Sequence, residues 1–151
     1  MIALLQRVLE AHVTVGDETV GAIGPGLLVL ACAERGDTPR QAERLAERIL
    51  AFRVFADDAG RMNRSVRDAG GGVLIVPQFT LAADTRSGNR PSFTPAADPE
   101  SGRARFDDLV RRIAAVHAPV ATGRFGAHMR VHLVNDGPVT FSLRVDPESD
   151  G

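Results

Sequence analysis

A chain of 151 residues with a formal net charge of −1, one cysteine and no lysine has the size of one domain that buries about 70% of its unfolded surface. Near-zero charge excludes wrapping of a long nucleic acid, which leaves a strongly basic footprint, but not a grip on the last few nucleotides of one. The absence of lysine excludes lysine-based chemistry.

All 18 basic residues are arginine, and together with the alanine richness this reads as codon bias rather than as a device. Cys32 lies in the apolar run Leu27 to Ala33; it has no internal disulfide partner and is expected to pack as a small hydrophobe in a reducing, cytoplasmic setting. Met1 to Arg7 carries no basic leader and no segment approaches the roughly 18 apolar residues of a membrane span, so the chain reads as soluble, unprocessed and without a membrane partner.

In chain order, the first third alternates β-branched runs with turn signals at Gly16-Asp17 and Gly24-Pro25-Gly26, which predicts antiparallel strands near residues 2–8, 11–15, 19–23 and 27–33. Thr38-Pro39-Arg40-Gln41 reads as a capping box with proline at the first helical position. The helix runs to about Ala51, with Ala42, Leu45, Ala46 and Ile49 on the core stripe. Phe52 to Phe55 is expected as a strand and Asp57 to Gly60 as a turn, whose paired carboxylates are turn formers rather than an acid–base pair. Gly70-Gly71-Gly72 opens no helix and lacks the context of a phosphate loop.

Val73 to Val76 predicts a buried central strand that delivers Gln78, Phe79 and Thr80 to its end. The long connection over 82–97 carries Arg86, Asn89, Arg90 and Phe93, and a loop of that length suggests function or disorder. Asp98-Pro99-Glu100 starts a second helix with Phe106, Leu109, Val110 and Ile113 on one stripe. A hairpin is expected last: residues 128–134 and 139–145 alternate on either side of a turn at Asn135 to Pro138. The class is α+β, with largely antiparallel or mixed sheets and two amphipathic helices packed on them. A single domain spans 1–145 and a frayed polar tail spans 146–151.

The residues show no evident nucleophile–base pair. His128 and His132 are four apart on a predicted strand, about 13 Å, too far to share zinc; His12 and His117 read as structural. Thr80 offers a hydroxyl but no neighbouring base. The other option is backbone: N–H groups that leave the ladder where a strand ends can stabilise an oxyanion.

Gln78-Phe79-Thr80-Leu81 resembles the first signature motif of the D-aminoacyl-tRNA deacylase (D-tyrosyl-tRNA deacylase) family in its bacterial form, and Asn135-Asp136-Gly137-Pro138-Val139-Thr140 matches the second completely. Further matches run from Gln6-Arg7-Val8 through Gly24-Pro25-Gly26-Leu27-Leu28, Met62-Asn63, Ala83-Asp84-Thr85-Arg86 and Arg90-Pro91-Ser92-Phe93 to Phe125-Gly126-Ala127. The resemblance implies a homodimer that acts on the aminoacyl-tRNA 3′ end with no cofactor and no metal.

It further implies that Gly137-Pro138 of one subunit, in a cis peptide, enters the other's pocket. There its carbonyls would capture the substrate's α-amino group and leave no room for an L side chain. Catalysis would fall to Gln78, Phe79 and Thr80, with backbone N–H groups around Phe79 and Thr80 holding the scissile carbonyl oxygen and the 2′-OH of the terminal adenosine helping to activate water. Arg7, Met129 and Phe93 would join the substrate site, and Arg86 and Arg90 would contact tRNA phosphates. From the residues alone Gly137-Pro138 reads as trans, because about one X–Pro bond in twenty is cis; the resemblance reverses that expectation.

Two positions depart from the pattern. Pro77 stands where the family usually has Ser, losing an N–H and a hydroxyl. A sister branch acting on L-alanine mischarged to tRNA also has Pro there, but it replaces the motif Phe and follows Gly-Pro with Tyr, whereas Phe79 and Val139 are kept here. His128 replaces a frequent acidic residue. The rival readings are a noncatalytic dimer that binds the tRNA acceptor end and a small-molecule hydrolase on the same fold.

Overall fold

The computed structural model describes residues 1–147. Its strands are β1 (Ile2–Val15), β2 (Glu18–Ile23), β3 (Gly26–Cys32), β4 (Phe55–Ala56), β5 (Met62–Arg64), β6 (Gly72–Pro77), β7 (Val120–Thr122) and β8 (Arg130–Arg144). Its helices are α1 (Pro39–Ala51), α2 (Val66–Ala69) and α3 (Pro99–Val116), with a 3-10 turn at Phe79–Ala82. The α+β class read from the sequence holds.

Strand β1 organises the sheet. Its first half pairs with β3 and its second half with β2, while β8 runs antiparallel along its other edge from Ile2↔Arg144 to Thr14↔Arg130. Beyond β3 the sheet becomes parallel, β3 to β6 and β6 to β7. Gly26 is what lets β3 and β6 close at their start, since a Cβ there would lie 2.0 Å from the Gly72 carbonyl oxygen.

Helices α1 and α3 cover one face, where Leu5, Leu27, Val29, Ile75, Leu45 and Leu109 form the main core. On the opposite face Val8, Ala11, Val13, Leu28, Leu74 and Val76 form a second cluster with Met129 and Val131. The parity change in β1 follows from register shifts between Gln6 and Glu10, which also leave Leu9 outside, 54% exposed.

The expected capping box is present: the Gln41 carboxamide oxygen accepts from the Thr38 N–H at 2.7 Å and the Thr38 hydroxyl accepts from the Arg40 N–H at 3.3 Å. Thr38→Ala is expected to lower stability by about 1 kcal/mol, read as a fall in the denaturant midpoint at unchanged slope.

The structure corrects three expectations. The C-terminal segment is one strand, not a hairpin: both halves of β8 pair with β1 in the same direction, and Asn135 to Thr140 bulges out between Val8↔Asn135 and Gln6↔Thr140 without reversing the chain. Alternation on both sides of a turn motif cannot tell a fold-back from an excursion when a third strand is long enough to pair both halves. The strand expected at Phe52 to Phe55 shrinks to Phe55–Ala56, because the preceding residues are fixed instead by Val54 N–H donating to the Arg64 carbonyl at 3.2 Å. The strands expected near residues 2–8 and 11–15 are one continuous strand, β1, because the register shifts between Gln6 and Glu10 are absorbed without breaking it; short α2, capped by Ser65 and ended by Gly70 at φ +69°, is an element that four residues are too few to announce by period.

The tail expected from Asp146 starts with Asp146 paired to Arg144 at 2.6 Å; its residues 148–151 lie outside the described residues.

Candidate active site

At the end of β6 the Gln78 N–H donates to the Ala31 carbonyl at 2.8 Å, which ties the departing chain to β3. The chain then tightens into the 3-10 turn Phe79–Ala82, rather than simply fraying from the ladder. The N–H groups of Leu81 and Ala83 return to the Gln78 and Thr80 carbonyls at 3.2 and 3.1 Å. The N–H groups of Phe79 and Thr80 are first-turn donors with no acceptor inside the helix. Two adjacent donors on a tight turn are what an oxyanion requires.

The Thr80 hydroxyl accepts from the Gln78 side-chain amide. An amide nitrogen cannot take up a proton, so this contact orients the hydroxyl without activating it as a nucleophile.

Gln78 and Phe79 line a cavity of about 740 Å³. Phe93, Met129, Pro77 and His128 line it as well. Phe79 and Phe93 meet edge to face with centroids 5.2 Å apart and are 59% and 41% exposed, so the cavity mouth is an open aromatic lip. Burial in the wall pushes the Cys32 thiol up to about 11, against which a backbone hydrogen bond from Ala82 acts in the opposite sense.

The Asn135 to Thr140 excursion forms a second cluster. Gly137 has φ +135° and the Gly137–Pro138 bond is cis. Asn135 straps the excursion from inside: its carbonyl oxygen accepts from the Val139 N–H at 3.1 Å and its amide donates to the Thr140 hydroxyl at 3.0 Å. Arg7 supports it from below, donating from Nε to the Asp136 carbonyl at 3.2 Å and from Nη1 to the Val54 carbonyl at 2.7 Å, with the Asp136 carboxylate 3.3 Å away. The structure therefore gathers Gln78, Phe79, Phe93 and Met129 around the cavity, and Arg7, Gly137 and Pro138 in a cluster that does not line it.

The connection over 82–97 is pinned by the bridge Asp84↔Ser92. Arg86 folds back on Asp84 at 2.8 Å, and the Arg86 guanidinium holds the Asp84 carboxyl down at about 2. Arg86 and Arg90 both lie on the exposed outer side of this loop.

A family model described as D-Tyr-tRNA(Tyr) deacylase matches residues 4–144. The chain belongs to this deacylase family. Family relatives include the D-aminoacyl-tRNA deacylase of Thioalkalivibrio sulfidiphilus (strain HL-EbGR7), 69% identical over 147 residues that cover 97% of this chain and 99% of that protein. That of Paracidovorax citrulli (strain AAC00-1) is 65% identical, covering 97% and 95%.

Among solved structures, one described as c-Myc DNA Unwinding Element Binding Protein superposes with a TM-score of 0.92 at 38% identity, covering 97% of this chain and 99% of that one. Another, of a probable eukaryotic D-amino acid tRNA deacylase, gives 0.77 at 18% identity, covering 94% and 97%, and shows the shared fold alone.

Several supports of the candidate site are not legible in the sequence. Asn135 lies in the Asn135 to Thr140 motif, and an Asn side chain that can accept from a nearby turn N–H is the local signal for its strap. Phe125, Gly102 and Cys32 reach the cavity from three distant segments, and no local pattern announces that. His117 is structural as expected: its Nε2 lies 2.7 Å from the Gly71 carbonyl. His12 and His132 turn out to be cross-strand partners with rings stacked 4.3 Å apart. Among the described residues no cluster of three or more His, Cys, Asp or Glu side chains could hold a metal ion.

Proposed function

We propose that the chain is a D-aminoacyl-tRNA deacylase that hydrolyses the ester between a D-amino acid, or glycine, and the 3′-terminal adenosine of tRNA. The observation that carries this reading is the pair of first-turn donors at Phe79, which lines the cavity, and Thr80, which follows it, on a turn that supplies no side-chain base. Water adds to the ester carbon and gives up a proton, the carbonyl oxygen becomes an oxyanion held by those N–H groups, and collapse breaks the bond to the ribose 3′-oxygen, which takes up that proton. The neighbouring 2′-OH of the substrate relays that proton, a task for which the turn offers no side-chain base.

Chiral selection falls to Gly137–Pro138. The excursion is held rigid by Asn135 and Arg7 and stands away from the cavity of its own chain, and that placement supports its entering the cavity of a second copy. Leu9, Leu133, Val134 and Phe141, all on β1 and β8 and at least 36% exposed, supply an apolar surface for such a homodimer. In the dimer the Gly137 and Pro138 carbonyls accept from the α-ammonium group, and the backbone wall excludes an L side chain by clash, so the enzyme tolerates many D side chains. Phe93 and Met129 line the substrate cavity.

Incubation with D-aminoacyl-tRNA tests the reading: cleavage supports it, protection of the ester points to a noncatalytic acceptor-end binder, and turnover without the RNA points to a small-molecule hydrolase. Arg90 is assigned to tRNA phosphate, and Arg86 joins it once released from Asp84. Arg90→Ala is expected to weaken tRNA binding across all sequences and to lower the salt slope of binding by about 0.7–1, measured by titration at several ionic strengths.

A further inference from the structure

We propose that Cys32 is a positioning residue for the deacylation, aiming the Thr80 N–H at the oxyanion by holding the Phe79 carbonyl; this rests on the deacylase reading above. Cys32 closes β3 and is 5% exposed, with Sγ 3.4 Å from the Phe79 carbonyl oxygen and 3.2 Å from the Ala33 carbonyl oxygen. Within the 3-10 turn the i to i+3 pattern brings the Ala82 N–H to the same Phe79 carbonyl, so Cys32 is its second donor. Ile2, Ala82, Ala96 and Leu81 pack around it, so the thiol sits in a small apolar nest beneath the turn.

The Phe79 carbonyl and the Thr80 N–H belong to one planar trans peptide and point in opposite directions. Fixing the oxygen on the Cys32 side therefore fixes the hydrogen on the other. Rotation of that peptide plane would withdraw the donor and turn a carbonyl toward the substrate, leaving substrate contacts elsewhere in the cavity in place. Burial keeps the thiol protonated at neutral pH, which makes it a donor rather than a nucleophile or a redox-active thiolate.

The consequence is selective. Cys32→Ala is expected to lower kcat for D-aminoacyl-tRNA about three- to tenfold with KM unchanged within about twofold, and Cys32→Ser, which restores a donor, to recover at least about half of the wild-type kcat. In the substrate-free protein, amide hydrogen exchange at Leu81 and Ala83 should quicken in the alanine variant and return toward wild type in the serine variant. Unchanged kcat and unchanged exchange in Cys32→Ala would overturn the assignment, as would a loss that serine fails to rescue, which marks packing alone. A wild-type protein that cleaves no D-aminoacyl-tRNA would defeat the deacylase reading, while the exchange measurement would still decide whether Cys32 holds the turn.

Discussion

Thr80→Pro should lower kcat on D-aminoacyl-tRNA by about 10²–10³-fold, or about 2.7–4 kcal/mol of transition-state stabilisation, the usual worth of one oxyanion donor. The substitution removes the N–H proposed to hold the developing charge. It breaks no helical hydrogen bond, because Thr80 is the second residue of the turn and its N–H has no acceptor there. Proline is compatible with a first helical turn, although it presses the preceding Phe79 toward extended backbone, so a thermal melt must accompany the kinetics. Thr80→Ala is the control: it keeps the N–H and loses only a hydroxyl that accepts from Gln78. Appreciable activity in Thr80→Ala with near-complete loss in Thr80→Pro assigns the chemistry to the backbone. Near-complete loss in Thr80→Ala would make the hydroxyl itself catalytic.

Gly137→Ala should reduce turnover by about 10²-fold, the cost of displacing a reacting group by roughly 1 Å. At φ +135° an L side chain is strained, and the new Cβ would lie 2.6 Å from Val139 Cγ2 and 2.9 Å from the Val139 backbone nitrogen. That nitrogen donates to Asn135, so relief of the clash must break the strap that holds the excursion. Arg7 Nη2, 3.4 Å away, blocks retreat in another direction. The strain itself costs about 1–3 kcal/mol, which predicts a modest loss of stability beside a large loss of turnover. Normal turnover of D substrates by Gly137→Ala would remove the excursion from the mechanism.

Features carried by local chemistry could be read before the fold was known. Thr38, Pro39 and Gln41 announce the start of α1 because a capping box involves only four neighbouring residues. Val73 to Val76 announces a central strand because only burial on both faces tolerates four apolar residues in succession. Asp98 likewise marks the start of α3, accepting from the Ser101 N–H at 3.1 Å. What failed was long range. The excursion at Gly137 reads locally as a hairpin because its true partner, β1, lies more than 120 positions earlier and only its 14-residue length reveals that it can pair both halves.

Site residues divide in the same way. Gln78, Phe79 and Thr80 are contiguous, so the motif and its strand-end setting were both visible, although the 3-10 geometry that frees the donors was not. Cys32 read correctly as buried, but its contact with the Phe79 carbonyl joins residues 47 apart and depends on the parallel pairing of β3 with β6. Arg7 was legible only through the family resemblance; its support of the Asp136 carbonyl depends on the register shift in β1.

Chiral editing by a backbone wall is decided by hydrolysis of matched D- and L-aminoacyl-tRNA, with glycyl-tRNA alongside. The D and glycyl esters should be cleaved and the L ester should survive. Cleavage of L-alanyl-tRNA, or equal cleavage of both enantiomers, would contradict chiral editing.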